Sequence, residues 1–102
     1  MDDVVVIGGG IIGAAAAYFL SKEGRKVKVI ERDPTYKQAS FPLSLGGFRR
    51  QFYQKENILL GKFAREFISQ IPELLKTEKN PNPTASMVPN GYLLMFGPEH
   101  AE

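Results

Sequence analysis

The composition of the chain indicates a globular domain and excludes several kinds of chemistry. Of its 102 residues, 43% are hydrophobic and 24% are charged, which is ordinary for a globular protein. The net charge of +2 comes without a basic cluster, so we predict no nucleic-acid partner. The absence of cysteine excludes disulfides, thiolate catalysis and cysteine-bound metals, and we predict no metal site. The longest apolar run, Ile11–Leu20, is far shorter than the roughly 18 residues of a transmembrane helix.

The first predicted element is a strand over Asp2–Ile7 that runs into a glycine-rich turn. Gly8, Gly10 and Gly13 have the G-x-G-x-x-G spacing of a dinucleotide-binding turn. The first glycine permits a sharp exit from the strand, the second lets the backbone approach a pyrophosphate, and the third lets the next helix pack close to the sheet. Because the N-terminus of a helix attracts anions, we predict that the pyrophosphate lies there.

A helix and a second strand complete this unit. The helix is predicted over Ile11–Glu23, with Gly24 as its stop, and the strand over Arg25–Glu31. The right-handed crossover rule predicts parallel pairing of the two strands. Glu31 ends the second strand about 20 residues after Gly10, where an acidic residue of the fingerprint accepts hydrogen bonds from ribose hydroxyls. The alternative is a β–α–β unit whose glycines serve only to turn the chain.

A long loop is predicted over Arg32–Glu56, since Pro34 and Pro42 oppose both helix and central strand. Loops of this length in compact domains are usually functional or disordered. Two adjacent glycines in this loop allow close approach to a flat ligand, and Arg49 and Arg50 follow them. An arginine can hold a carboxylate through two parallel hydrogen bonds. The alternative is a solvated basic loop.

The second half of the chain contains one amphipathic helix. Apolar residues recur at steps of three and four over Asn57–Lys76, with Asn57 as the predicted N-cap and Pro72 as the point of a kink or division. A proline-rich connector, Thr77–Pro89, follows. The aromatic and apolar run Gly91–Phe96 predicts a strand.

The predicted elements are too few for a complete fold. One β–α–β unit supplies two parallel strands, whereas a parallel sheet needs cover on both faces. We therefore expect the chain to be the N-terminal part of a longer parent protein. The first strand begins near Met1, so the printed sequence predicts no signal peptide. His100, the only histidine, is predicted to be a solvated tail residue.

The motifs together resemble a known family. I-G-G-G-x-x-G, V-I-E-R-D and Q-A-S-x-x-x-S-x-G-G-F-R-R-Q-F are similar to FAD-dependent oxidoreductases of the D-amino-acid oxidase and sarcosine oxidase superfamily. The branch they resemble contains FAD-dependent oxidoreductase domain proteins and sarcosine oxidase β-subunit-like dehydrogenases. The resemblance implies an α/β fold whose N-terminal β–α–β belongs to a Rossmann-like FAD-binding domain of the glutathione-reductase type. An amphipathic helix and the first strand of a substrate domain would follow, with residues 1–77 in the first domain and 78–102 in the second.

The resemblance also implies roles for individual residues. Arg49 matches a catalytic position where relatives hold the substrate carboxylate or line the flavin face. No histidine lies near Ser44, so attachment of FAD through a histidine of that segment is not expected. The implied cofactor-binding residues are Gly8, Gly10, Ile11, Ile12, Gly13, Glu31, Arg32, Ser40, Ser44, Gly46 and Gly47.

The function implied is oxidation of an amine or an N-methyl or secondary amino acid, with hydride transfer to FAD in the parent protein. This chain alone is expected to be inactive. Three alternatives stay open: an NAD-dependent dehydrogenase, an FAD-binding scaffold, and a truncated product without activity. A mitochondrial member of the branch is such a scaffold, acting as an assembly factor for respiratory complex I. The expected partners are a small amine or amino-acid substrate and the rest of the parent chain or a partner subunit. The expected location is the cytoplasm, or the mitochondrion if an N-terminal extension precedes the chain.

Overall fold

A computed structural model describes residues 3–98, and the chain falls into two compact units. The first unit is Met1–Gly47 and the second is Phe48–Glu102. The residues Asp2 and His100, for which the sequence predicted a strand start and a solvated tail, lie outside the described range. The predicted division into domains at residues 77 and 78 stays a prediction.

The first unit begins with a β–α–β arrangement. Strand β1 is Val4–Ile7, helix α1 is Ile11–Lys22 and strand β2 is Val27–Ile30. The strands pair in parallel, first residue opposite first and last opposite last, and α1 packs on both. Parallel neighbours need a crossover connection, and α1 returns the chain to the start of β2. The predicted α/β fold class and parallel pairing are confirmed.

Helix α1 ends in a glycine turn that satisfies its last carbonyl groups. Gly24 has a φ of +81°, and its N–H donates to the Ser21 carbonyl at 3.0 Å. The N–H of Arg25 donates to the Leu20 carbonyl at 3.1 Å. This Schellman pattern requires one residue in the left-handed region, where glycine has no Cβ to clash. The predicted helix stop at Gly24 is confirmed.

The small sheet carries apolar side chains on both faces. Val4 and Val6 are half-buried, whereas Val5 is 52% exposed and Ile7 is 87% exposed. No large apolar side chain is buried within residues 3–98. Since a parallel sheet is stable with both faces covered, the face that carries Val5 and Ile7 needs cover that the described residues do not supply.

The second unit contains two consecutive helices, α2 (Lys55–Ser69) and α3 (Ile71–Leu74), separated by Gln70. Pro72 has no N–H to donate to the carbonyl four residues earlier, so α2 ends before it, whereas a proline is tolerated in the first turn of α3. The predicted division of the amphipathic helix is confirmed. Within the described range, no helix has the length and apolarity needed to cross a membrane.

The start of α2 differs from the prediction. The N-cap is Gln54, with φ −86° and ψ 132°, and Asn57 is the third residue of the helix. The Asn57 side chain instead donates from Nδ2 to Oε1 of Gln54 at 3.1 Å. Lys55 and Glu56 extend the helix by two residues, and the glutamate in the first turn is favoured by the helix dipole. The prediction of Asn57 as the N-cap was wrong.

The strand predicted over Gly91–Phe96 is not formed. The structure assigns these residues no regular secondary structure, and β1 and β2 pair only with each other among the described residues. Leu93 is 85% exposed and Met95 is 86% exposed. A strand requires a neighbour to satisfy its backbone groups. The prediction of this strand was wrong, because an apolar pattern does not form a strand without a partner.

Candidate dinucleotide-binding site

The glycine turn lies where β1 gives way to α1. Gly8 has a φ of +93°, a conformation that suits glycine, and its N–H donates to the Ile30 carbonyl at 2.8 Å. This bond joins the turn to the last residue of β2. Gly10 is the N-cap of α1 in extended conformation, and a Cβ built on it would meet no atom within 4 Å. The turn therefore has open space at Gly10, where a ligand can approach the backbone.

The third glycine lies against the strand exit. A Cβ on Gly13 would overlap the carbonyl oxygen of Gly8 and lie 3.3 Å from Cγ1 of Val6. Only a residue without a side chain permits this approach of helix to strand, and it is the approach that the third glycine of the fingerprint is expected to provide.

The first turn of α1 offers backbone donors for an anion. The N-cap supplies no side-chain hydrogen bond, and the first turn holds no acidic residue. The first intrahelical bond runs from the Ala14 N–H to the Gly10 carbonyl at 2.8 Å, so the preceding N–H groups have no partner within the helix. The side chains of Ile11 and Ile12 are 58% and 84% exposed. Their contribution at this place comes from the backbone, because their side chains are apolar.

Glu31, directly after β2, joins the two ends of the site. Its Oε2 accepts from the Gly9 N–H at 2.6 Å, and its Oε1 accepts from the Asp33 N–H at 2.7 Å. The N–H groups of Asp33 and Gly9 lower the pKa of the Glu31 carboxyl below its ordinary value of 4.5. The carboxylate is thus ionised and oriented at neutral pH, and each oxygen keeps a lone pair that can accept from a ribose hydroxyl.

The chain after Glu31 turns tightly. Asp33 Oδ1 accepts from the Thr35 hydroxyl at 2.6 Å and from the Thr35 N–H at 2.9 Å, and these bonds lower the pKa of the Asp33 carboxyl. The next residue, Tyr36, has a φ of +56°, and its hydroxyl lies beside Gly9. Gly9, Asp33 and Tyr36 were not predicted as site residues. The Asp-Pro pair was a turn signal for Asp33, but no local signal points to a contact between Tyr36 and Gly9.

The remaining predicted residues of the first unit lie in the loop after β2. The Ser44 hydroxyl makes two local hydrogen bonds: it donates to the Phe41 carbonyl at 2.8 Å and accepts from the Gly46 N–H at 3.2 Å. Gly46 has a φ of +66°. All five predicted cofactor-binding residues of this loop are exposed: Arg32, Ser40, Ser44, Gly46 and Gly47.

Arg49 belongs to the second unit, just before α2. Its side chain is exposed, and its guanidinium carbon lies 4.9 Å from the centroid of the Phe52 ring. This is a cation–π distance, which orients a guanidinium while leaving its N–H groups available to an anion.

The site residues fit a dinucleotide. An ionised carboxylate, helix N–H groups that have no partner within α1 and open space at Gly10 match ribose hydroxyls and a pyrophosphate in chemistry. A family model described as FAD dependent oxidoreductase (DAO) matches residues 3–102. The chain belongs to this family. Its members bind FAD, so the choice between FAD and NAD, which the glycine spacing left open, falls to FAD, and the predicted resemblance is confirmed.

The similar proteins are much longer than this chain. FAD-dependent oxidoreductase domain-containing protein 1 from Bos taurus is 40% identical over 105 residues, covering 98% of this chain and 22% of the relative. The protein of the same name from Xenopus laevis is 43% identical over 104 residues, covering 97% of this chain and 21% of the relative. The chain thus spans about a fifth of the length of these relatives.

A shorter similarity extends to another group of proteins. Squalene monooxygenase SE2 from Panax ginseng is 59% identical over 34 residues, which is 33% of this chain. No solved structure matches the chain. A similarity over one third of the chain carries no assignment of substrate.

Proposed function

We propose that the parent protein oxidises the C–N bond of an amine or of an N-methyl or secondary amino acid, using FAD. The family membership gives the coarser statement, an FAD-dependent oxidoreductase. The finer statement is a hypothesis supported by the residues that follow the glycine turn and by the exposed guanidinium of Arg49.

The observation that carries the cofactor part is the position of Glu31. Its carboxylate is held between the Gly9 and Asp33 N–H groups, 2.6 and 2.7 Å away. Because it cannot turn freely, it is ready to accept hydrogen bonds from the adenosine ribose. The N-terminus of α1 would hold the pyrophosphate, with Gly10 allowing close approach and the N–H groups of Ile11 and Ile12 facing the anion. Arg32, Ser40, Ser44, Gly46 and Gly47 are proposed to follow the cofactor from adenine toward the flavin.

Arg49 carries the substrate part of the proposal. A guanidinium binds a carboxylate through two parallel hydrogen bonds, which fixes the substrate's orientation as well as its position. FAD, when bound, would supply the hydride acceptor for oxidation of the substrate C–N bond. Arg49 would hold the substrate so that the carbon next to the substrate nitrogen faces the flavin, which is a positioning effect.

The test uses the full-length parent protein and two neighbouring arginines. Its visible absorption is recorded first, since a bound oxidised flavin is yellow. Turnover of sarcosine and proline is then compared in Arg49→Gln and Arg50→Gln. Loss of a charge-assisted hydrogen bond costs roughly 1.5–3 kcal/mol, so KM for these carboxylates should rise about 10- to 100-fold in Arg49→Gln. Arg50→Gln is the matched control, with the same charge change one residue away.

Three outcomes would contradict the proposal or part of it. A full-length protein that stays colourless after addition of FAD would exclude the flavoenzyme. A yellow protein that turns over neither substrate would favour a binding scaffold over an amine oxidoreductase. Equal KM increases in both arginine variants would remove Arg49 from the substrate site.

A further inference from the structure

Tyr36 has an unusual backbone conformation. Its φ of +56° places a residue with a full side chain in the left-handed region, which costs free energy. Local hydrogen bonds hold it there: the Tyr36 N–H donates to the Asp33 carbonyl and the Ala39 N–H donates to the Tyr36 carbonyl, each at 3.0 Å. Tyr36 is 39% exposed, so more than half of its surface is covered, and this burial together with the hydrogen bonds offsets part of the cost.

The conformation brings the Tyr36 hydroxyl to the glycine turn. A Cβ built on Gly9 would lie 2.7 Å from that hydroxyl oxygen, which means that the oxygen occupies the space a side chain at Gly9 would need. The same virtual Cβ lies 3.5 Å from Oε2 of Glu31. Two oxygen-bearing side chains from beyond β2 therefore converge on Gly9.

We propose that Tyr36 is a further cofactor-binding residue, whose hydroxyl donates a hydrogen bond to a ribose or phosphate oxygen of the adenosine half of FAD. The proposal rests on the FAD site described above. Glu31 can only accept hydrogen bonds, and the α1 N–H groups can only donate. A phenol beside Glu31 adds a hydroxyl donor next to a carboxylate that can only accept, and residues with a left-handed backbone are common in ligand-binding segments.

The first measurement is the affinity of the full-length apoprotein for FAD, read from the quenching of flavin fluorescence. A hydrogen bond of ordinary strength predicts an affinity about 2- to 10-fold weaker in Tyr36→Phe. The control is Tyr53→Phe, because Tyr53 is fully exposed in the second unit. ADP, which carries only the adenosine diphosphate half, should show the same loss as FAD, and FMN should show none.

A second variant tests the position of the hydroxyl. Gly9→Ala puts a Cβ where the Tyr36 oxygen lies, so the oxygen must move and its hydrogen bond to the cofactor is lost. The two changes should then be non-additive: Gly9→Ala should weaken FAD binding in the native background and add little in Tyr36→Phe. Thermal unfolding of each apoprotein separates this loss from a general loss of fold.

The outcomes distinguish failure of the role proposed for Tyr36 from failure of the FAD site on which it rests. If Tyr36→Phe binds FAD and ADP as tightly as Tyr53→Phe does, the role of Tyr36 is excluded while the FAD site stands. A lower unfolding temperature of the Tyr36→Phe apoprotein with unchanged affinity would make Tyr36 a structural residue only. Full additivity with Gly9→Ala would also overturn the proposal. If the unaltered protein binds no FAD, the proposed function fails, and this inference fails with it.

Discussion

The two units differ in how far apart along the sequence their hydrogen-bonded groups lie. In the first unit the Gly9 N–H donates to the Glu31 carboxylate, 22 positions later. In the second unit the side-chain bond from Asn57 to Gln54 spans three positions. Strand pairing brings the first pair together, whereas one turn of helix brings the second pair together. A substitution in the first unit at a residue that contacts a distant part of the sequence should therefore affect both folding and binding. A change within a helical turn of the second unit should affect neither strongly.

The largest expected effect is that of Gly13→Ala. The added Cβ overlaps the Gly8 carbonyl oxygen, which belongs to the backbone and cannot rotate away. Overpacking of this kind costs about 3 kcal/mol, so we expect a clear loss of folding stability of the full-length protein together with loss of bound FAD. Chemical denaturation of the apoprotein measures the first effect, and visible absorption measures the second.

Gly10→Ala is the matched control for that experiment. Its Cβ meets nothing within 4 Å, and its backbone has a negative φ, so the apoprotein should lose about 1 kcal/mol or less, the usual cost of alanine at an N-cap. FAD affinity should still fall, because the methyl group fills the open space at the turn. Equal destabilisation by both alanines would contradict the close helix–strand approach at Gly13.

The next effect is a dependence of stability on pH through Glu31. Its pKa is lowered in the folded state, so its ionised form stabilises the fold. This contribution is complete above the ordinary value of 4.5 and is lost as the pH falls through the lower folded pKa. We expect the stability difference between the native protein and Glu31→Gln to shrink on acidification in urea titrations. If the stability difference between the two proteins stays constant as the pH falls, the hydrogen bonds from Gly9 and Asp33 do not favour the charged form of Glu31.

The smallest expected effect is that of Asn57→Ala in the second unit. An asparagine at an N-cap is worth roughly 1 kcal/mol, but Asn57 lies inside α2 and contacts only an exposed glutamine side chain in the described hydrogen bonds. Unfolding free energy should change by about 0.5 kcal/mol or less. A loss near the full cap value would restore Asn57 as the N-cap, and Ser69→Ala serves as a comparison at the other end of the helix.

Much of the first unit was predictable because its signals are local. Four β-branched residues before three glycines predict a strand and a turn. Gly24 predicts the end of the helix because glycine adopts a positive φ freely. Glu31 was predictable from its place at the end of β2. The second unit was less predictable: the run Gly91–Phe96 has a strand's composition, but strands form only against a partner.

The β–α–β order, the glycine spacing, the division of the helix before Pro72 and the family can all be read from the residues alone. These depend on φ preferences, side-chain periodicity and residue spacing, which act over a few positions. Two contacts follow from the folded arrangement and not from any local pattern: Glu31 accepts from the Gly9 N–H, and the Tyr36 hydroxyl fills the space beside Gly9. Those contacts arise because parallel pairing of β1 and β2 brings the exit of each strand to the same end of the sheet, a relation that no short stretch of sequence contains.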